Sequence, residues 1–226
     1  MQYQGGKEQI AKHIAAVIGE CDTYVEPFCG GISVAARIKA GTMILADANE
    51  ALITLYRQWQ DGWRPNHKIT HEEYKMLQGL KDPNDPYTAF AGFGLSFGGK
   101  WFGGFAKDRV GQIYQDCAHR GLDKKLNTIK PVFLCQMYQN LPIPDGATVY
   151  CDPPYAGTTG YSAVETFDSD AFWAWAEALS TRCTVYVSEY QAPPGWVSVW
   201  SRSKTVRMRS KGACSEAFEH LFQFQP

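Results

Sequence analysis

Apolar runs that end in polar turns alternate along this chain with segments of helical hydrophobic spacing. Runs rich in β-branched and aromatic residues predict strands at 23–28, 43–46, 132–134, 148–150 and 184–187. Helical spacing predicts helices at 8–18, 30–40, 49–59, 71–80 and 170–179. Strands that alternate with helices indicate an α/β fold with a mostly parallel sheet, which binds ligands at the carboxyl ends of its strands.

Two parts of the chain depart from the alternation of parallel strands and helices. Two C-terminal strands, at 197–200 and 220–224, have no helix between them, so an antiparallel edge is expected there. The stretch 61–130 interrupts the strand–helix alternation. We therefore predict one sheet domain formed by 1–60 and 131–226, with 61–130 as a small inserted domain.

The fourth predicted strand runs directly into Asp152-Pro153-Pro154-Tyr155. The carboxylate of Asp152 can accept an N–H from a planar amino group, and proline offers no competing backbone N–H. The ring of Tyr155 offers a face on which a planar group can stack. A rigid turn after a buried strand would also account for the two prolines. The tetrapeptide indicates a site that holds an amino group.

A second candidate site lies at the end of the first predicted strand, where Glu26-Pro27-Phe28-Cys29-Gly30-Gly31 forms a glycine turn. Glycines let a ligand approach the backbone closely, and a helix beginning there would favour an anionic group. Asp47 ends the second strand, where an acid can bind ribose hydroxyls; Asp47-Ala48-Asn49 fits a helix N-cap equally well. Upstream, Lys7 could meet a carboxylate. The combination predicts a nucleotide-like cofactor pocket.

Composition and charge narrow the class of protein. The 226 residues are 45% hydrophobic and 20% charged, with a net charge of −1, as in ordinary globular proteins. The seven cysteines are scattered singly, which favours a reducing cytoplasm and neither disulfides nor a metal site. No apolar stretch is long enough to predict a membrane span or a signal peptide.

Basic residues cluster on both sides of the tetrapeptide. Residues 191–215 hold five basic residues and no acidic one, and 100–130 hold seven basic residues against three acidic. Glycines, aromatics and lysine are interleaved over 93–105, which suits an adaptable binding loop, although such aromatics can equally plug a core. The clusters predict a phosphate-binding surface, for which Lys100, Trp101, Arg109, Arg207, Arg209 and Lys211 are the candidate contacts.

In order and spacing these elements resemble the D12 class of adenine-specific DNA methyltransferases, the Dam family. The resemblance rests on an N-terminal Gly5-Gly6-Lys7, the Glu26–Gly31 turn, Asp47-Ala48-Asn49, the 61–130 insertion and Asp152-Pro153-Pro154-Tyr155. It implies a Rossmann-like S-adenosylmethionine-dependent methyltransferase fold in which 61–130 is the target-recognition domain. It also implies methylation of the N6 amino group of a flipped-out adenine in double-stranded DNA.

The resemblance also assigns roles to individual residues. Cofactor binding falls to Tyr3, Lys7, Glu26, Pro27, Phe28, Gly30, Gly31, Asp47, Asn49 and Asp152. The catalytic site falls to Asp152, Pro153, Pro154 and Tyr155. The insertion departs from the family: its usual N-R-x-x-F-N-G and related motifs are replaced by Phe97-Gly98-Gly99-Lys100-Trp101-Phe102-Gly103-Gly104, so the G-A-T-C target does not carry over.

Other activities use related chemistry. Cytosine-N4 methylation needs the same grip on an amino group, and guanine-N2 methyltransferases of ribosomal RNA carry a similar turn but lack the G-G-K start and the large insertion. Glutamine methylation of proteins generally has Asn at the position of Asp152. A catalytically inert DNA-binding homologue is the alternative from another class. The expected setting is the cytoplasm of a bacterial or phage-infected cell, with no obligate protein partner.

Overall fold

The computed structural model describes residues 1–106, 114–154, 167–207 and 214–225, without the side chains of 204–207 and 214–217. Its strands are β1 (Cys21–Glu26), β2 (Ala40–Asp47), β3 (Val132–Cys135), β4 (Thr148–Cys151), β5 (Thr184–Glu189), β6 (Trp196–Arg207) and β7 (Cys214–Phe224). Its α-helices are α1 (Ala11–Ile18), α2 (Glu50–Gln60), α3 (His71–Leu80), α4 (Pro86–Ala89), α5 (Gln115–Leu126) and α6 (Ser169–Ser180). Each strand predicted from the sequence is therefore present.

The seven described strands form one sheet in the order β3-β2-β1-β4-β5-β7-β6. The pairs among β1 to β5 are parallel, whereas β7 runs antiparallel to both β5 and β6. The predicted α/β fold with an antiparallel C-terminal edge is thus confirmed. From β1 the chain adds β2 and then β3 on one side of β1. It then returns and places β4 on the other side of β1. The crevice between β1 and β4 is the topological switch point of the sheet.

The alternation of side chains along each strand divides the core into two layers. Tyr24 and Tyr150 face a cluster that contains α1, α2 and much of 61–130, while Val25 and Val149 face a second cluster with α6. The first cluster joins side chains of the sheet to those of the insertion, among them Tyr74, Phe90, Phe93, Phe102 and Leu122. The sheet and the insertion therefore share one continuous apolar layer.

Local sequence explains where the main helices begin. The side-chain oxygens of Asn49, Thr70 and Asp168 accept hydrogen bonds from backbone N–H groups in the first turns of α2, α3 and α6. Pro86 stands at the start of α4, where its missing N–H costs nothing. A single π turn, Phe90–Gly94, continues α4 into the glycine-rich loop.

One predicted helix is wrong. Within 30–40 the chain forms only a 3-10 turn, Ala35–Arg37, instead of a helix that starts at the glycine turn. Gly30 has φ 38°, and Ile32 has φ 49°, a left-handed conformation that is strained for a β-branched residue and incompatible with an α-helix. The expectation that a helix N-terminus at this turn attracts an anionic group falls with the helix. The predicted helix at 8–18 also begins later, at Ala11.

Candidate active site

Three acidic side chains lie at the carboxyl ends of neighbouring strands. Glu26 ends β1, Asp47 ends β2, and Asp152 directly follows β4. Because β1 pairs in parallel with both β2 and β4, these ends meet at one edge of the sheet, beside the switch point. The parallel sheet thus gathers residues that are far apart in the sequence into one acidic crevice.

Asp47 holds the glycine turn in place. Its Oδ2 accepts the N–H of Gly30 at 3.0 Å and its Oδ1 accepts the N–H of Asn49 at 2.9 Å. Burial raises the pKa of this carboxyl, and the backbone N–H groups oppose that rise. The N-cap of α2 is Asn49, whose Oδ1 accepts the N–H of Leu52 at 3.0 Å. Asp47 and Asn49 therefore have separate structural roles.

Tyr3 lies directly on the glycine turn. A Cβ built on Gly30 would approach Tyr3 Cε1 to 2.9 Å, and one on Gly31 would approach Tyr3 Cβ to 2.9 Å. From the other direction, the hydroxyl of Tyr56 donates to the carbonyl of Gly30 at 2.6 Å. Glycine is required at both positions because any larger residue would displace the N-terminal arm.

Lys125 supports the same turn and was missed by the sequence analysis. Its Nζ donates to the carbonyl of Gly31 at 2.8 Å and to Ser33 Oγ at 3.1 Å, and lies 2.9 Å from Glu8 Oε2. Burial lowers the pKa of Lys125, against the opposing effect of Glu8. Burial would raise the pKa of Glu8, but hydrogen bonds from Arg37 and Lys125 lower it to about 2. No local motif marks Lys125, because its partners come from the far end of the chain.

Lys7 joins two carboxylates. Its Nζ lies 2.7 Å from Asp152 Oδ1 and 3.2 Å from Glu219 Oε1. The side chains of Lys7 and Glu219 are each 9% exposed and that of Asp152 is 19% exposed. Burial works against the ammonium, but the two carboxylates outweigh it and raise the pKa of Lys7. Burial raises the pKa of Asp152, while Lys7 lowers it in part.

Glu26 is buried next to this group. The hydroxyl of Tyr24 donates to its Oε2 at 3.1 Å. Burial raises the pKa of Glu26 well above the usual range, and the nearby charge of Asp152 adds to the rise. The neutral acid is therefore favoured, which makes Glu26 able to donate a hydrogen bond as well as accept one.

Phe28 and its neighbours form the apolar side of the crevice. Pro27 is buried, and the ring of Phe28 lies 5.3 Å from Tyr138 and 5.7 Å from Phe172, centroid to centroid. Phe167 lies 6.1 Å away at a steep angle. Such an aromatic cluster offers flat surfaces beside the acids.

The structure describes the first three residues of the predicted catalytic tetrapeptide. Asp152 is held by Lys7, Pro153 is buried and Pro154 is half-buried. Tyr155 lies outside the described residues. The resemblance had placed Tyr3, Lys7, Glu26, Asp47 and Asp152 together, and the fold brings these five to one edge.

The predicted DNA contacts lie in different settings. Lys100 is exposed, whereas Trp101 is half-buried, with its ring 4.6 Å from that of Phe93. A Cβ on Gly92 would meet the Trp101 ring at 2.5 Å, so tryptophan covers that glycine. Arg109, Arg209 and Lys211 lie outside the described residues, as does the side chain of Arg207.

The loop that carries Lys100 is anchored to the N-terminal arm. The N–H of Gln4 donates to the carbonyl of Gly99 at 3.1 Å, and an isolated antiparallel bridge joins Ser96 to Phe105. A Cβ on Gly99 would lie 2.5 Å from the backbone of Gln2. The glycine-rich loop therefore lies against the same arm that carries Tyr3 and Lys7.

The donor set of the crevice fits S-adenosylmethionine. This cofactor presents ribose hydroxyls, an amino group and a cationic sulfonium, all of which suit carboxylates. The carboxyl groups of Asp47, Glu26 and Asp152 can accept hydrogen bonds from such groups, and Lys7 is a cation of this edge that can face a carboxylate. Even with Glu26 neutral, Asp47 and Asp152 outnumber Lys7 among these residues, so a cationic ligand is favoured electrostatically.

Comparison with known proteins agrees with the predicted resemblance. Residues 3–91 match the family model of the D12 class N6 adenine-specific DNA methyltransferases. A DNA adenine methylase of Serratia marcescens is 25% identical over 201 residues, covering 76% of this chain and 72% of the relative. The predicted relationship to this family is confirmed, and these matches support a methyltransferase enzyme.

Similar solved structures include two methyltransferases. An rRNA methylase from Streptococcus thermophilus has a TM-score of 0.39 at 8% identity, covering 96% of each chain. A precorrin-6y C5,15-methyltransferase from Geobacter metallireducens has a TM-score of 0.40 at 8% identity, covering 99% of this chain and 95% of the other.

Among the described residues, no helix combines the length and apolarity needed to cross a membrane.

Proposed function

We propose that this protein transfers a methyl group from S-adenosylmethionine to the N6 amino group of adenine in double-stranded DNA. The observation that carries the proposal is the position of Asp152. It follows β4 at the switch point, stands before two prolines and is held by Lys7 at 2.7 Å beside the acids that end β1 and β2. An acceptor for an amino group thus adjoins a pocket with the donor set of the cofactor.

The cofactor is held by groups with separate tasks. Asp47 binds the ribose hydroxyls and Glu26 contributes from the end of β1, while Lys7 faces the carboxylate of the cofactor. Tyr3 and the glycine turn form the wall against which the ligand lies, and Lys125 keeps that turn in position. When bound, S-adenosylmethionine supplies an activated methyl group on a sulfonium, so no metal or covalent intermediate is required.

Asp152 and Pro153 act on the amino group that is methylated. The lone pair of an exocyclic adenine nitrogen is delocalised into the ring, which makes it a weak nucleophile. Hydrogen bonds from its N–H groups to the Asp152 carboxylate and the Pro153 carbonyl draw the nitrogen towards tetrahedral geometry and stabilise its developing positive charge. After attack the nitrogen is strongly acidic, so Asp152 can accept the proton without being an obligatory base.

The adenine must leave the duplex to reach this crevice, because a concave site cannot be entered by a stacked base. Tyr155 stacks on the flipped base, which contributes about 1–3 kcal/mol in comparable base–aromatic contacts. Residues 61–130 recognise the DNA, with Lys100 contacting phosphate. The shared apolar layer beneath this segment supports it as a rigid platform beside the cofactor turn.

The test compares two aspartates of the same sheet domain. Asp152→Ala is expected to lose methyl transfer by at least about 100-fold while S-adenosylmethionine still binds, because the acceptor for the amino group is removed. Asp145→Ala is the matched control, since Asp145 is 82% exposed and lies in the turn before β4, at the opposite end of that strand. Label from the cofactor is followed into DNA, and the DNA is digested to identify the modified nucleoside.

The digest decides between the proposed activity and its rivals. Label in N6-methyladenine supports the proposal, whereas label in N4-methylcytosine or only in RNA contradicts it. DNA binding by the wild-type protein with no label in any substrate would support an inert homologue. An Asp152→Ala protein with nearly full methylation would refute the role of Asp152.

A further inference from the structure

We infer that Glu219 is a positioning residue for the methyl-transfer site, which acts by holding the Lys7 ammonium between itself and Asp152. This inference rests on the proposed function and extends it to a residue outside every motif of the chain. Glu219 lies on β7, the antiparallel strand beside β5, and not at the end of a parallel strand. It reaches the site through its ion pair with Lys7.

The geometry leaves the Lys7 ammonium between the buried Glu219 and the partly buried Asp152. Its distances are 2.7 Å to Asp152 Oδ1 and 3.2 Å to Glu219 Oε1, so it lies closer to the proposed catalytic acid. The N-terminal arm of Lys7, the β4 end of Asp152 and the middle of β7 are three separate parts of the chain. An ion pair to a single partner would leave the long lysine side chain free to rotate about that partner. A second carboxylate on the sheet fixes it.

The second carboxylate also changes the electrostatics at Asp152. A lysine paired with Asp152 alone would place its full charge on that carboxylate and weaken it as an acceptor. The negative charge of Glu219 offsets part of the positive charge of Lys7, and it raises the pKa of Asp152. The two carboxylates together raise the pKa of Lys7, so the ammonium stays charged. Asp152 therefore keeps its partner and also keeps acceptor strength for an amino group.

Stability alone is a poor explanation for the triad. Removing three charged groups from water is costly, and apolar residues of similar volume often stabilise a core as well or better. Glu219 is 7% exposed in a strand whose neighbours Leu221 and Phe222 are buried apolar residues. A charged side chain at such a position is explained by what it does for Lys7 and Asp152.

The surrounding ionisable groups set the background for a pH experiment. Glu26 from β1, Tyr150 from β4 and Tyr190 after β5 each interact electrostatically with one or more members of the triad, and Glu189 at the end of β5 interacts with Tyr190. Glu219→Gln leaves all four in place. Any displacement of the pH profile then reports the loss of one negative charge beside Lys7 and Asp152.

The experiment measures kcat, the KM for S-adenosylmethionine and the pH profile of kcat for wild type, Glu219→Gln and Glu219→Asp. We expect Glu219→Gln to lower kcat by about 10- to 100-fold, because a small misplacement of a reacting group has effects of this size. Without Glu219 the pKa of Asp152 falls and so does that of Lys7, so both limbs of the profile move to lower pH. Glu177→Gln, an exposed acid on α6, is the matched control and should change neither quantity.

Glu219→Asp keeps the charge but withdraws the carboxylate by one methylene. It should lose part of kcat with smaller displacement of the limbs, and it provides the test if the glutamine variant does not fold. An active wild-type enzyme whose folded Glu219 variants keep kcat within about twofold would overturn the inference alone. A fall in kcat with unmoved limbs would also overturn it, as that indicates a structural role. Wild-type protein that methylates no DNA would instead refute the proposed function, and with it this inference.

Discussion

The carboxyl edge of the sheet and the 61–130 segment bury opposite kinds of side chain. At the edge the buried groups are ionisable, and each is held by named partners at hydrogen-bonding distance, as Lys7 is by Asp152 and Glu219. In 61–130 the buried groups are mainly apolar, and their aromatic rings are in contact with one another and with neighbouring rings: Tyr74, Phe90, Phe93 and Phe102, together with the half-buried Trp101. Buried polar contacts are present there as well, such as the 2.6 Å hydrogen bond between Tyr74 and Ser96.

The difference reflects what each region has to position. Ion pairs and hydrogen bonds are directional, so they place individual oxygen and nitrogen atoms for chemistry. Aromatic packing fixes the interior of 61–130 but leaves the exposed residues of its loops unconstrained. Exposed residues of 61–130 such as Lys100 can therefore be exchanged without disturbing the core.

Lys125 connects the two regions. It comes from α5, inside the predicted insertion, yet its ammonium donates to the glycine turn of the cofactor crevice. The 61–130 segment is therefore joined to the glycine turn by a directional contact as well as by apolar packing. Variants of Trp101, Lys125 and Lys100 test how separate the two regions are.

The largest expected effect concerns the aromatic frame. Trp101→Ala should lower the free energy of unfolding by about 2–3 kcal/mol, because the ring covers Gly92 and packs on Phe93. Trp101→Phe retains most of this packing and is the control. Urea denaturation measures the difference. Full stability combined with weakened DNA binding in Trp101→Ala would instead identify Trp101 as a DNA contact. It would contradict the assignment of Trp101 to the packed aromatic residues of 61–130.

An intermediate effect is expected at Lys125, which connects the two regions. Lys125→Met should weaken S-adenosylmethionine binding by about tenfold, because hydrogen bonds from a charged donor to the turn are worth about 1.5–3 kcal/mol. Calorimetric titration with the cofactor gives the affinity. Lys124→Met is the control, since Lys124 is its exposed neighbour on α5. Equal affinities for the two variants would mean that the cofactor turn holds its shape without the insertion.

The smallest effect concerns the exposed surface of 61–130. Lys100→Ala should leave stability unchanged, weaken DNA binding a few-fold and reduce the slope of log affinity against log salt by about 1, as expected for one lost phosphate contact. Binding is measured at several salt concentrations. Lys39→Ala is the control, because Lys39 is exposed at the amino end of β2, away from the site. An unchanged salt slope for Lys100→Ala would exclude a phosphate contact there.

Patterns within single segments allowed much of the fold to be predicted. Helix 71–80 has the predicted bounds, since Thr70 caps it and its hydrophobic spacing is regular. The helix expected at 30–40 was wrong because the left-handed conformation of Ile32 depends on the turn that Asp47 and Tyr56 hold from other strands and helices. No local pattern could reveal that.

The sequence by itself determined the strands, the acids at their ends and the family to which the ordered motifs point, because hydrophobic period and turn chemistry are properties of neighbouring residues. Only the tertiary structure decided which distant charges meet. Strand order places β7 beside β5, and this brings Glu219 to Lys7 and Asp152. The packing of α5 likewise brings Lys125 to Gly31. Contacts of a few ångströms between remote segments depend on strand order and layer packing, which no single stretch of sequence contains.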